Sequence, residues 1–142
     1  MISKEEIKFY SDVYNNIDKL TKNNRNLKCS IMINIHETIS SAEDEESKKL
    51  SELLFNDIEI ISREMIEEAP DSKNKAIFAS LLDLVKENIS YDEALENIKE
   101  YDIELYEEVK NISDEDVEKF FQEKQKEFIT EEQERKNKEW LL

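Results

Sequence analysis

The stretch NISYDEALENIKEYDIELYEEVKNIS, Asn88 to Ser113, opens and closes on the same tripeptide, Asn-Ile-Ser. Each copy has the chemistry of a helix–turn–helix junction. Asn tolerates the left-handed conformation that ends a helix, and Ser accepts a hydrogen bond from an amide in the first turn of the next. Ser90 is followed three residues on by Glu93, and Ser113 by Asp116, which is the spacing of a capping box. Between the junctions Tyr91, Leu95, Ile98, Leu105, Val109 and Ile112 recur at three, four and seven residues, as one buried helix face does. The stretch predicts a helix running between two helix ends.

The same signals recur along the chain. Capping boxes stand at Ser3–Glu6, Ser40–Glu43 and Thr130–Gln133, and Ile2 with Ile7 and Ile112 with Val117 have the spacing of hydrophobic staples. Ile7, Tyr10, Val13, Tyr14, Ile17 and Leu20 form the face of a first helix; Leu50, Leu53, Leu54, Ile58, Ile61 and Met65 form a longer seam ending near Ala69–Pro70. Ile77, Leu81, Leu84 and Val85 mark a shorter helix, and Val117, Phe120, Phe121 and Phe128 a strongly amphipathic one. Only Cys29 to His36 alternates as a strand would, but a lone strand leaves its backbone groups unsatisfied. Leu27, Ile31, Ile35 and Ile39 fit a helix over the same residues. The expected fold is all-α: an irregular bundle of five to seven amphipathic helices in a single domain over 1–142, with 130–142 as a polar helix carrying an apolar tip.

Missing residues narrow the function. With no glycine there is no P-loop, no GxGxxG dinucleotide motif and no EF-hand loop. A lone Cys29 excludes an intrachain disulfide and a cysteine-based zinc site, and a free thiol suits a reducing cytoplasm. The longest uncharged run, Cys29 to His36, is far short of the roughly 20 residues of a membrane span. The first residues lack the pattern of a signal peptide. Cytoplasmic localisation is expected, without membrane contact. Seventeen Ile and twelve Asn against five Ala point to an AT-rich genome, a low-GC bacterium or its phage. His36 is the only histidine, seven residues from Cys29, and no Glu-x-x-His carboxylate motif precedes it. The two read as edges of a core helix. No enzyme activity, catalytic residue, metal or cofactor is expected.

Charge is the positive signal. The chain carries 36 acids against 20 bases, a net charge of -16. Residues 1–30 are net +2, residues 31–70 net -8, residues 71–130 net -9 and the last twelve net -1, so the acidity belongs to the body of the fold. Asp92, Glu96, Glu100, Glu104 and Glu108 fall at strict four-residue intervals. On a continuous helix they would line a ridge with steps of about 6 Å. Like charges so spaced cost an isolated helix roughly 0.2–0.5 kcal/mol per pair.

Such a ridge presents phosphate-like charge to a basic surface, the kind of surface that holds nucleic acid. The expected partner is a protein with a basic surface, such as a nuclease, inhibited by a nucleic-acid mimic as phage anti-restriction or anti-CRISPR proteins and nuclease-toxin immunity proteins do. Direct binding of nucleic acid is disfavoured by repulsion between like charges. The alternative is a helical adaptor or chaperone that binds a partner helix in an apolar groove formed by Phe120, Phe121, Phe128 and Trp140. The same apolar surface would serve a homodimer.

Overall fold

The computed structural model describes residues 2–141, with the side chains of residues 114 and 139–141 outside the description. Its elements are α1 (Lys4–Asn15), α2 (Ile17–Thr21), α3 (Arg25–Ile39), α4 (Glu45–Glu68), α5 (Lys73–Val85), α6 (Tyr91–Tyr101), α7 (Ile103–Val109) and α8 (Asp114–Leu141). The fold is all-α, and no strand occurs among the described residues. Two expected helices are each broken once and the last two are joined into one, which brings the described helices to eight. None of them is long and apolar enough to cross a membrane.

The chain divides into two compact units, Met1–Glu64 and Met65–Leu142, with the boundary inside α4. In the first unit Cys29 to His36 is helical, as the backbone argument required. Cys29, Met32, Ile33, Ile35 and Ile39 of α3 are buried, as are Ile7, Ile17, Leu50, Leu54, Ile58 and Ile61. This core is aliphatic and sulfur-containing. The Tyr14 hydroxyl donates to Asp57 at 2.6 Å and ties α1 to α4. The first helix stops at Asn16, whose side-chain amide donates to the Asp12 carbonyl. Leu20, expected on the buried face with Ile7, is 61% exposed: thirteen residues on, it stands about 140° round a helix from Ile7 even without the break.

In the second unit α5 packs against both α6 and α8, and α6 against α7. Phe78 of α5 stacks on Phe128 and Phe121 of α8, with ring centroids 5.0 and 6.0 Å apart. The buried side of α8 also holds Gln125 and Glu132, so the helix is less amphipathic than its phenylalanines imply. Glu132, only 3% exposed, is held by Arg135 one turn on, with Nη2 at 2.7 Å and Nε at 3.2 Å from one carboxylate oxygen.

The helix ends show which local signals the fold uses. Ser3 accepts from the Glu6 amide and Ser90 from the Glu93 amide, both at 3.1 Å, and the Ser113 hydroxyl donates to Asp116. Two expected starts are not starts. Ser40 closes α3, and α4 is capped instead by Asp44, which accepts from the Ser47 amide and hydroxyl. These bonds hold the Asp44 carboxyl below its ordinary pKa. Thr130 lies inside α8, so residues 130–141 continue that helix and are not a separate one.

Without glycine, the left-handed positions fall to other residues. Glu87, at φ 61°, ends α5; its amide donates to the Leu84 carbonyl, and the Asn88 amide to that of Asp83. Lys22, at φ 52°, does the same after α2, with the Asn23 amide reaching the Asp18 carbonyl. Both are Schellman closures. Neither Asn88 nor Asn111 takes the left-handed role expected of it.

Candidate functional site

The acidic stretch does not form the single ridge that its spacing implies. Asp102 is extended, at φ -156° and ψ 100°, and separates α6 from α7. On one continuous helix Tyr91 and Val109 would stand about 27 Å apart. Here the Tyr91 hydroxyl donates to the Val109 carbonyl at 3.0 Å. The end of α7 therefore lies beside the start of α6, and the two helices form an antiparallel hairpin. The row of five carboxylates becomes two short rows, Asp92, Glu96 and Glu100 on α6, and Glu104 and Glu108 on α7.

Packing aims both rows at solvent. α6 buries Ala94 and Ile98, and α7 buries Leu105 and Val109. At about 100° per residue, Asp92, Glu96 and Glu100 stand opposite the buried side of α6, with Glu93 beside them. Glu104 and Glu108 are likewise exposed on α7. None of the five carboxylates forms an ion pair with any described residue. The two lysines of the hairpin are directed elsewhere. Lys99 lies 5.2 Å and Lys110 5.5 Å from the centroid of the Tyr106 ring. Lys110 also pairs with Glu107 at 2.6 Å, which raises its pKa.

Asp102 is the residue that sequence reasoning missed. Its carboxylate accepts from the Leu105 amide at 3.1 Å, capping α7, and pairs with Lys73 of α5 at 2.6 Å. The bond from Lys73, then that from Leu105, holds its pKa below the ordinary range. The hairpin turn is thus tied to the first residue of α5. An aspartate before Ile-Glu-Leu is a cap signal, but in a chain with 36 acids it does not stand out.

The apolar candidates have a different fate. Phe121 and Phe128 are buried in the stack on Phe78, and Phe120 is half-buried with Lys124 5.6 Å from its ring centroid. A partner helix would have to open the core to reach the first two. The side chain of Trp140 lies outside the described residues. Cys29 is fully buried, and burial, opposed by nearby Arg25, pushes its thiol up to about 12. Since the thiolate is the reactive form, Cys29 is a packing residue. The half-buried His36 ring sits 5.8 Å from that of Phe55. Among the described residues no three His, Cys, Asp or Glu side chains gather to hold a metal ion.

A concavity of about 790 Å³ lies in the first unit, between the first turn of α1 and the segment joining α3 to α4. Ile2, Ile7 and Ala42 line it beside Glu43 and Glu46. No protein-family model matches the chain, and neither curated proteins nor solved structures yield a match.

Proposed function

We propose that the protein is a non-enzymatic binding protein that inhibits a partner by covering its basic, nucleic-acid-binding surface with the α6–α7 hairpin. The observation that carries this reading is the set of exposed carboxylates, Asp92, Glu96, Glu100, Glu104 and Glu108, that have no ion pair of their own among the described residues. They lie in a unit with 23 acids against 11 bases. Left unpaired, they repel one another, and a surface of Lys and Arg relieves that repulsion on contact. Two short rows on neighbouring helices offer an acidic patch in place of a single phosphate-like line. An inhibitor of restriction or CRISPR nucleases, or the immunity protein of a nuclease toxin, would act through such a patch.

The test is retention of a basic protein from nuclease-treated host lysate on the immobilised chain, at physiological and at roughly threefold higher salt. That change shortens the screening length from about 8 Å to roughly 5 Å. A nucleic-acid-binding protein held only at the lower salt supports the reading. Reversing charge at Glu96, Glu100, Glu104 and Glu108 to lysine should abolish its retention. Unchanged retention by that variant removes the hairpin from the proposal.

A further inference from the structure

Three helix ends meet at the concavity of the first unit: the start of α1, the end of α3 and the start of α4. Helices pack along their sides and not past their ends, so a hollow remains there. Its volume, about 790 Å³, falls within the roughly 300–1,000 Å³ of small-molecule sites. Part of the lining is apolar: Ile7, which is 3% exposed, with Ile2 and Ala42. The rest is strongly acidic. Glu43, Asp44, Glu45 and Glu46 follow one another along it, and Lys4 is the one base among the described lining residues.

These carboxylates exceed what the helix ends need. The starts of α1 and α4 each carry about half a positive charge. α1 answers its own with Glu5 and Glu6 in the first turn. At α4 the cap is Asp44, whose two oxygens are turned to the Ser47 hydroxyl and amide. That leaves Glu43, Glu45 and Glu46, exposed and without an ion pair among the described residues. Thr38, in the last turn of α3, lines the third side, where the carbonyl end of that helix adds about half a negative charge. Lys4 offsets one carboxylate. We infer that this hollow binds a small organic cation, an amine carried on an aliphatic chain or a ring. Its apolar body buries against Ile2, Ile7 and Ala42, and its ammonium meets the carboxylates at the edge. An anion is repelled there, a neutral apolar molecule gains only the burial, and an inorganic cation only the charge. The site lies within residues 1–64 and does not depend on the hairpin.

The test is titration of the isotope-labelled full chain at physiological salt, read by amide chemical shifts. The probes are phenylethylammonium, phenylethanol, phenylacetate, ammonium chloride and the tripeptide Lys-Phe-Lys. Phenylethylammonium should move the Ile7, Thr38, Ala42 and Glu46 amides saturably, in the millimolar range that suits so small a molecule. Phenylethanol should bind at least roughly fivefold more weakly, the loss of one charge contact near the surface. Phenylacetate and ammonium should give no saturable movement. Ala42→Phe fills the hollow from the connecting segment, and Glu43→Gln/Glu45→Gln/Glu46→Gln removes its charge. Each should weaken phenylethylammonium roughly tenfold, with unmoved amides far from the site as the check on folding. The four-lysine hairpin variant should bind it as the wild type does. No saturable movement with phenylethylammonium overturns the inference, as does full binding by Ala42→Phe or equal binding of phenylethanol. Equal weakening by the four-lysine variant also overturns it, by reducing the effect to bulk charge. If Lys-Phe-Lys moves the same amides at roughly tenfold lower concentration, the occupant is a segment of a basic protein and the small-ligand assignment falls.

Discussion

The two units are built alike and charged differently. Residues 1–64 carry 13 acids against 9 bases, net -4, and residues 65–142 carry 23 against 11, net -12. The weakly charged unit packs Ile, Leu, Met and Cys; the strongly charged one is centred on three stacked phenylalanines. Carboxylates crowded on α6 and α7 oppose the folding of those helices, and an aromatic core is one way to offset the repulsion. Rings bury a large apolar area each and gain further from their stacking geometry. Acidity on the hairpin therefore accompanies an aromatic core in the same unit.

The comparison breaks most readily at its centre. Phe128→Ala removes the ring closest to Phe78 and should cost about 3–5 kcal/mol, the range for truncating a buried aromatic. Native-state hydrogen exchange should show the loss of protection in residues 65–142, with residues 1–64 close to wild type. Equal loss in both halves would mean that the units unfold together, and the contrast between them would then describe composition only.

A finer probe uses pH. Asp102 has a folded pKa below the ordinary value, so its pairing stabilises the fold above the unfolded pKa and is lost as pH falls through the folded one. Asp102→Asn keeps a side chain that caps helices but removes the ion pair with Lys73. The variant should therefore be less stable than wild type at pH 7, and the gap should close as pH drops below about 4. Urea midpoints at the two pH values measure it, and the protein's other carboxylates cancel in the difference. A gap that does not narrow between pH 7 and pH 3 would show that Asp102 matters for its shape and not its charge.

Much of this fold is legible in the sequence because helix starts and buried faces are local. Ser3 and Ser90 accept from the Glu6 and Glu93 amides as their spacing implies, whereas the Ser113 hydroxyl donates to the Asp116 carboxylate; of the expected seam Leu50, Leu54, Ile58, Ile61 and Met65 are buried and Leu53 is exposed. The breaks at Asn16 and Asp102 are not legible, because apolar spacing continues across them. Ile98 and Leu105 stand seven apart and satisfy a continuous helix as well as a hairpin. That one ambiguity decides the candidate site. It turns a line of five carboxylates into two rows with Tyr101 and Ile103 at the turn. What chooses between the two forms is tertiary: Lys73 on another helix meeting Asp102, and Tyr91 reaching Val109.

The smallest effect tests the local code itself. Ser90 and Thr130 each open an S/T-x-x-E/Q pattern, and only Ser90 caps a helix. An isolated capping box predicts the same loss for both, whereas the fold predicts different losses. Ser90→Ala removes the acceptor of the Glu93 amide at the entrance to the hairpin and should cost about 1 kcal/mol. Thr130→Ala changes an exposed position within a continuous helix, where alanine is the better helix former, and should stay within about 0.5 kcal/mol of wild type. Paired urea titrations resolve that gap. Losses of equal size would place a helix start at Thr130 after all, separating 130–141 from α8. Unequal losses leave Phe128 and Glu132 on one rigid helix, which is the condition for the aromatic stack to brace the hairpin's unit along its length.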